Sequence, residues 1–404
     1  MVVQNRSVPV IYFRGGTSKA LFFHEQHVPP RGTKRDRFLQ RIMGSPDPLQ
    51  IDGMGGSHLV TSKIALIKSS DQPDVDVDYT FVQVGINEET VSYKGNCGNI
   101  SAAVGPFAVD EGFVKELRPG VTIDPTVTTQ EVRIYNTGTK KVLISHVPIN
   151  HATGKFVELG TFAIAGCPGS GSPILMDYSN VIGAALSSGV LPTSNSLDTI
   201  VINDSNIDIT ICDVGNIIVF ARAKDLGLAG NEKPSDLDND PALIARVREL
   251  RGKAAQMVGM CKNWELVDAQ SPMLPMVALV SPPTDSDCDV QSRLFLDNKC
   301  HTSMAGTGAI CTAACSRVDR SVVNQLLTER HSQKTTLNIE HPLGSIPVLV
   351  KVRSTSSQKV PEFETLSFVR TARRILEGSI CVPDNVKDCF EEAEHPKQYS
   401  RRAV

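Results

Sequence analysis

The chain has 404 residues, 41% hydrophobic and 21% charged, with 41 basic against 44 acidic side chains and a formal net charge of −3. That length suggests two large domains or three small ones. The near-neutral balance excludes the basic footprint of a nucleic-acid binder, and no apolar run approaches the ~20 residues of a membrane span. Ten cysteines in 404 residues, with no Cys-x-x-Cys pair, fit a reduced cytoplasmic chain with mostly buried thiols better than a disulfide scaffold. Residues 1–9 lack the charged start and apolar core of a secretory signal.

In chain order, residues 8–13 form an apolar run that stops at Arg14-Gly15-Gly16 and reads as a strand. Residues 35–43 read as a helix and 63–68 as a strand. Residues 75–84 alternate as Val-Asp-Val-Asp-Tyr-Thr-Phe-Val-Gln-Val, the period of a half-buried strand. A helix of small residues is expected over 99–111, then strands at 131–135, 141–147, 199–202, 208–214 and 217–221. A helix over 241–260, a strand at 276–280, a helix over 306–315 and a strand at 346–352 follow, and 362–377 reads as a further helix. Residues 166–192 are rich in Gly, Ser and Pro, with a domain boundary expected near their end. Residues 224–240 and 353–359 read as surface loops, and the charged tail from 388 as a fraying end. Bursts of strands with a helix inserted in each half argue for an α+β chain with mostly antiparallel sheets, against a regular βαβ array. A weak internal echo supports this: 82–109 and 292–314 each hold a strand, a glycine-rich turn and a small-residue helix.

Four segments carry chemistry. In Gly95-Asn96-Cys97-Gly98-Asn99 a cysteine precedes a run of helix formers. Free N–H groups and the positive end of the dipole at a helix start favour thiolate, and the same amides hold a carboxylate. A small buried cysteine in a loop satisfies the same spacing. In the second segment the glycine-rich run 52–58 leads to Thr61-Ser62-Lys63 at the start of an apolar strand, without the order of a phosphate loop. A lysine against apolar surface loses some of its charged form and serves as acid or base, although a snorkelling lysine fits too. Arg14-Gly15-Gly16-Thr17-Ser18-Lys19 converges glycines, hydroxyls and cations after a strand end, which suits a carboxylate or a simple turn. His301-Thr302-Ser303-Met304-Ala305-Gly306-Thr307-Gly308 offers a second helix start to face the first. The basic run Arg370-Thr371-Ala372-Arg373-Arg374 reads as a solvated helix face. There is no GxGxxG after the first strand, no HxxxH pair and no GxSxG elbow, so no metal or redox-cofactor signature stands out.

Taken together, Arg14 to Lys19, Gly53-Met54-Gly55-Gly56 before Thr61-Ser62-Lys63, and Gly95 to Asn99 resemble the PrpF-type methylaconitate isomerase family. The likeness continues through 166–192, Asp213-Val214-Gly215-Asn216, Ser271-Pro272, 307–311 and 370–378, nearly the whole chain in order. The resemblance implies a diaminopimelate-epimerase-like fold: two similar α+β domains, each a mostly antiparallel sheet wrapped around a central helix, with the site between them. The expected division is 1–188, 189–365, and a segment 366–404 that returns to the first domain. Epimerases of that superfamily use two cysteines. Here Cys97 stands at the first helix and Ala305 where the second thiol would be, which argues against a two-thiol racemase. In the isomerase family the second proton-transfer group is the lysine of Thr-Ser-Lys, here Lys63.

The resemblance therefore implies a cofactor-independent allylic isomerase of a di- or tricarboxylate, with Lys63 and Cys97 moving the proton and their order left open. The substrate-binding residues expected are Arg14, Thr17, Ser18, Lys19, Asn96, Gly98, Asn99, His301, Ser303, Met304, Gly306, Thr307 and Gly308. Residues 48–56 look closest to the aconitate isomerase branch, so cis- to trans-aconitate is placed first. 4-Oxalomesaconate tautomerisation and 2-methylaconitate or 3-methylitaconate isomerisation stand behind it. Two other classes stay open: a non-catalytic carboxylate-binding or dehydratase-accessory protein, and a cysteine hydrolase using His58 or His301. The expected partner is a small polycarboxylate, with no nucleic acid, no membrane and no metal, and a homodimer is left open.

Overall fold

The computed structural model of the chain describes residues 6–328, 334–353 and 360–390. Its organisation is a repeat. In the first half Ser7–Gly15 forms an antiparallel hairpin with Ser18–His24, which runs parallel to Lys63–Ser69. Lys63–Ser69 pairs antiparallel with Val77–Val84, which lies parallel to Thr128–Asn136, itself antiparallel to Lys141–Ile149. The second half repeats each step. Ser205–Val214 forms a hairpin with Asn216–Arg222, which is parallel to Met276–Ser281, then antiparallel to Val290–Leu296. Val290–Leu296 is parallel to Thr336–His341, which is antiparallel to Gly344–Val352.

The two halves are joined edge to edge through strands that also stay paired within their own halves, and each half then lends a strand to the other. Ile174–Asp177, after the first half, and Phe363–Arg370, after the second, pair with each other antiparallel. Beyond them, Asp198–Ile202 joins the second half's hairpin, and Ala372–Cys381 joins the first half's strand Ser7–Gly15. This overturns the expected helix over 362–377 and the solvated helical face of the basic run. The β-branched and aromatic residues Phe363, Thr365, Phe368, Val369 and Thr371 suit a pleated surface. The ladder with Ser7–Gly15 supplies partners that no local signal reveals.

Each half wraps its strands around one helix, Gly98–Asp110 and Gly306–Ser316. Gly98 to Val109 and every residue of Gly306–Ser316 are buried. A helix apolar all round belongs in a core, and Gly, Ala and Ser let the strands approach its backbone closely. Leu, Ile, Val and Phe from both halves form one continuous cluster around the two helices. A second cluster lies under Thr33–Met43 and is closed by the short turn Asp384–Phe390, with Phe390 edge-on to Phe38 at 5.0 Å. Residues 388–390 of the tail expected to fray are therefore packed, while 391–404 lie outside the described residues, as do 354–359 of the loop expected at 353–359. The loop expected at 224–240 holds the short helix Pro234–Asp238. Among the described residues no helix is long and apolar enough to cross a membrane.

Candidate active site

The two central helices meet start to start. A Cβ built on Gly98 would lie 2.8 Å from the backbone nitrogen of Thr307 and 3.0 Å from Gly306 Cα. Only hydrogen fits there. Cys97 and Ala305 occupy the same position, the residue just before the first helical turn, and neither side chain caps its helix. Two sets of unsatisfied first-turn N–H groups, at the positive ends of two dipoles, are thus brought together.

A cavity of about 40 Å3 lies against these helix starts, lined by Ser18, Lys63, Asn96, Cys97, Asn99, His301, Ala305 and Thr307 among others. It opens past Lys94, Gly95, Asn216, Met273 and Leu274 into a vestibule of about 350 Å3 that shares those residues. Neither lining contains an Asp or Glu. Lys63 and Lys94 supply positive charge, and the free thiol of Cys97 is half-buried in the wall.

Lys63 opens the strand Lys63–Ser69 and is 4% exposed. Its Nζ donates to Gln83 Oε1 at 2.5 Å, with the Phe81 ring centroid 5.1 Å away. The amide of Gln83 donates to the carbonyls of Ser62 and Leu59 at 2.9 and 3.2 Å, which fixes its oxygen toward the lysine. Burial pushes the Lys63 ammonium below the usual lysine value, and a neighbouring Cys97 charge opposes this in part. His301 Nδ1 accepts from the Ser303 N–H at 3.1 Å, so its proton sits on Nε2. Burial, helped by Lys63, holds its pKa down at about 4. Ser18 Oγ is buried with no hydrogen-bond partner, a hydroxyl free to meet a ligand.

The other expected site residues divide. Asn96 lines the cavity but is held by Ser101, Asn136 and Asn216. Asn99 Nδ2 donates to Thr17 Oγ1 at 3.0 Å, and Thr17 Oγ1 meets Ser303 Oγ at 3.3 Å. Thr17, Ser303 and Met304 line a separate small cavity beside the first. Gly308 packs against Leu294. Arg14 and Lys19 line neither cavity: Arg14 Nη1 donates to the carbonyls of Gly16 and Thr371, and Lys19 Nζ lies 5.4 Å from the Tyr12 ring centroid.

Sequence reasoning missed Gln83, Asn216 and Arg370. Asn216 Oδ1 accepts the Asn96 N–H, while its Nδ2 donates to Asn96 O and Thr307 Oγ1, tying the two helix starts together. Its place after Gly215, in a tight turn between strands, was the available signal. Gln83 was visible as a polar residue within an otherwise apolar stretch of strand. Arg370 Nε donates to Asn99 Oδ1 at 3.0 Å.

The sequence profile of the PrpF protein family matches residues 5–383. The chain belongs to the PrpF family. A 3-methylitaconate isomerase from Eubacterium barkeri is 39% identical, covering 93% of this chain and 97% of that one. A 4-oxalomesaconate tautomerase from Pseudomonas putida is 33% identical, over 93% and 96% of the two chains. A 2-methyl-aconitate isomerase from Shewanella oneidensis is 31% identical, over 93% and 97%. The crystal structure of a methylitaconate-delta-isomerase superposes with a TM-score of 0.76 at 38% identity, covering 98% of this chain and all of that one. A probable proline racemase from Agrobacterium radiobacter, 10% identical with a TM-score of 0.54 over 95% of each chain, shares the fold. This PrpF chain is an isomerase with the diaminopimelate-epimerase-like fold, two similar α+β halves each wrapped around a central helix.

Proposed function

We propose that this PrpF protein moves a carbon–carbon double bond along a di- or tricarboxylate by proton abstraction and return, with cis-aconitate to trans-aconitate as its reaction. The observation that carries the reading is the cavity wall: Lys63, Lys94, Cys97 and the unpartnered Ser18 hydroxyl, without a single carboxylate. A polyanion is suited to such a site, and a cationic substrate is not.

The chemistry rests on the groups present. One of Lys63 and Cys97 takes a proton from the methylene carbon of the substrate, and the electron pair of that C–H bond becomes the new double bond. The old π pair then takes a proton at the former vinyl carbon, from the same group or from the other. Between the two steps the extra charge spreads onto a carboxylate as a dienolate. The first-turn amides at Cys97 and Ala305 are suited to hold it. No net redox change occurs. Burial lowers the Lys63 pKa and so eases the loss of its proton; the neutral amine accepts a proton from the substrate, and the ammonium form returns one. The assignment requires Cys97 to stay a thiol, hence a reducing compartment, the cytoplasm. The domain division at about residues 188 and 365 belongs to the same proposal; the pairings of Asp198–Ile202 with the second half and of Ala372–Cys381 with the first support it, with residue 365 falling inside the strand Phe363–Arg370.

A second substrate, 3-methylitaconate, is favoured by the 39% identical relative of that name. Proton NMR in heavy water separates the readings. With cis-aconitate, trans-aconitate carrying deuterium is expected. Turnover and exchange with 3-methylitaconate alone would move the substrate and keep the mechanism. The absence of exchange with either would overturn the isomerase mechanism on these substrates.

A further inference from the structure

Beside the reaction cavity, across Asn99, lies a second cavity of about 50 Å3, lined by Thr17, Ser303, His341 and Arg370 and closed on one side by residues 162–165. Arg370 is 6% exposed. Its Nε donates to Asn99 Oδ1 and one terminal nitrogen to the Val369 carbonyl, both at 3.0 Å, and its guanidinium carbon lies 4.7 Å from the Phe368 ring centroid. These are neutral partners. Among the described residues no carboxylate lies within ion-pair distance of Arg370, and none lines the cavity. Arg35 and Arg251, comparably buried, each hold one, Glu25 and Asp268, and Arg293, which donates only to carbonyls, has the charges of Glu232 and Glu340 nearby. A guanidinium cannot escape burial by losing its proton, so an uncompensated one is costly. Burial lowers its pKa only to about 10, which leaves it charged at neutral pH.

The rest of the wall offers donors. An arginine has five N–H groups, of which two are engaged here, leaving a fork that matches a carboxylate. Thr17 Oγ1 already accepts from Asn99, so its own proton points either to Ser303 Oγ, 3.3 Å away, or to a ligand. His341 Nδ1 accepts the Leu343 N–H at 3.2 Å, which puts the ring proton on Nε2. We propose that this cavity is an anion site for a single carboxylate-sized monoanion, held by Arg370 with the hydroxyls of Thr17 and Ser303. Its occupant is either a free small anion such as formate or bicarbonate, or an end carboxylate of a bound substrate. The site is coupled to the reaction cavity through Asn99, whose side chain Arg370 and Thr17 hold from either end.

Formate is the probe. Its binding to the intact chain is read from the line width of 13C-formate and from the rise in melting temperature with formate concentration. Saturable binding is expected in the unaltered chain and in Lys63→Met, which removes one of the two lysines lining the reaction cavity. Arg370→Gln should weaken it by about tenfold or more, the loss of a charge-assisted pair. Arg370→Gln should also melt no lower than the unaltered chain in formate-free buffer, because it removes an unpaired buried charge. Thr17→Val, a milder change, should weaken formate in the same direction if Arg370→Gln does not fold. Binding that survives Arg370→Gln and Thr17→Val, or that disappears in Lys63→Met alone, would overturn the proposal by placing formate elsewhere. Repeating the titration with saturating cis-aconitate identifies the source: formate displaced means the substrate's own carboxylate occupies the site, and formate retained means a free anion does. The formate titrations need no turnover, so the site can fail while the isomerase reading stands, and the reverse.

Discussion

Lys63 and Gln83 face each other as partners in the ladder between Lys63–Ser69 and Val77–Val84, and the lysine donates across it at 2.5 Å. The pairing explains how an ammonium is tolerated at the inner end of an apolar strand. The glutamine oxygen stabilises the charged form while burial disfavours it. With both acting on one nitrogen, the lysine can pass between its two forms during a reaction.

Replacing Gln83 by Leu removes the acceptor and leaves the burial. The charged form of Lys63 then loses a hydrogen bond worth about 1.5–3 kcal/mol, and its pKa falls further. Turnover should drop by roughly ten- to a hundredfold, and the limb of the pH–rate profile that belongs to Lys63 should move to lower pH. Gln83→Glu should move that limb upward. A pH profile of kcat/KM for both variants checks the two directions together.

Cys97→Ala should abolish turnover with the melting temperature nearly unchanged, because the side chain stands half-exposed at a cavity wall. Thiol accessibility gives an independent check. Cys381 is exposed, Cys97 and Cys167 are half-buried, and the other seven cysteines are buried. Brief alkylation followed by peptide mass spectrometry should label these three. Substrate should protect Cys97 and leave Cys381 unaffected.

Acid should destabilise the chain before most carboxylates titrate. His301 and His341 are held at about 4, against 6.5 when free, by burial and nearby cations. Between those values the unfolded chain binds more protons than the folded one, so stability is retained above about pH 6.5 and falls as pH drops toward 4. Each ring contributes at most about 1.4 kcal/mol per pH unit within that window. Urea unfolding at pH 7, 6 and 5 should show the fall, and His341→Gln should flatten it by one ring's share.

Much of the site was legible because its chemistry sits in local patterns. Glycines flank Cys97 and precede Lys63, and His301 leads into the second helix start. Four helices and most central strands were legible from periodicity for the same reason. The exchanged strands were not. Ala372–Cys381 is mostly exposed and carries no period-two apolar signal, and its Arg374–Glu377 ion pair has helical spacing inside a strand. Its partner lies more than 350 residues away, at Ser7–Gly15. Arg370 was misread with it: as part of a charged run it looks solvated, whereas it ends a strand paired with Ile174–Asp177 and its side chain is buried against Asn99 and Phe368. Gln83 and Asn216 act through distant partners, which no spacing in one sequence reveals.

Gly98 provides the sharpest test of the paired helix starts. An added methyl would meet the backbone of Gly306 and Thr307, which cannot rotate away as a side chain can. Gly98→Ala must therefore push the two helices apart. Overpacking of this kind costs typically about 1–3 kcal/mol. The larger effect should be on turnover, because Cys97, Ala305 and the first-turn amides all move with the helices. Gly112→Ala is the control. It has a φ of +74° and open space around its Cβ, so it meets backbone strain alone, about 1–2 kcal/mol. The two variants should lose similar stability in urea, and only Gly98→Ala should lose activity beyond what its unfolded fraction explains. Equal residual activity in both would show that the close approach of the helices serves stability and leaves the site's geometry untouched.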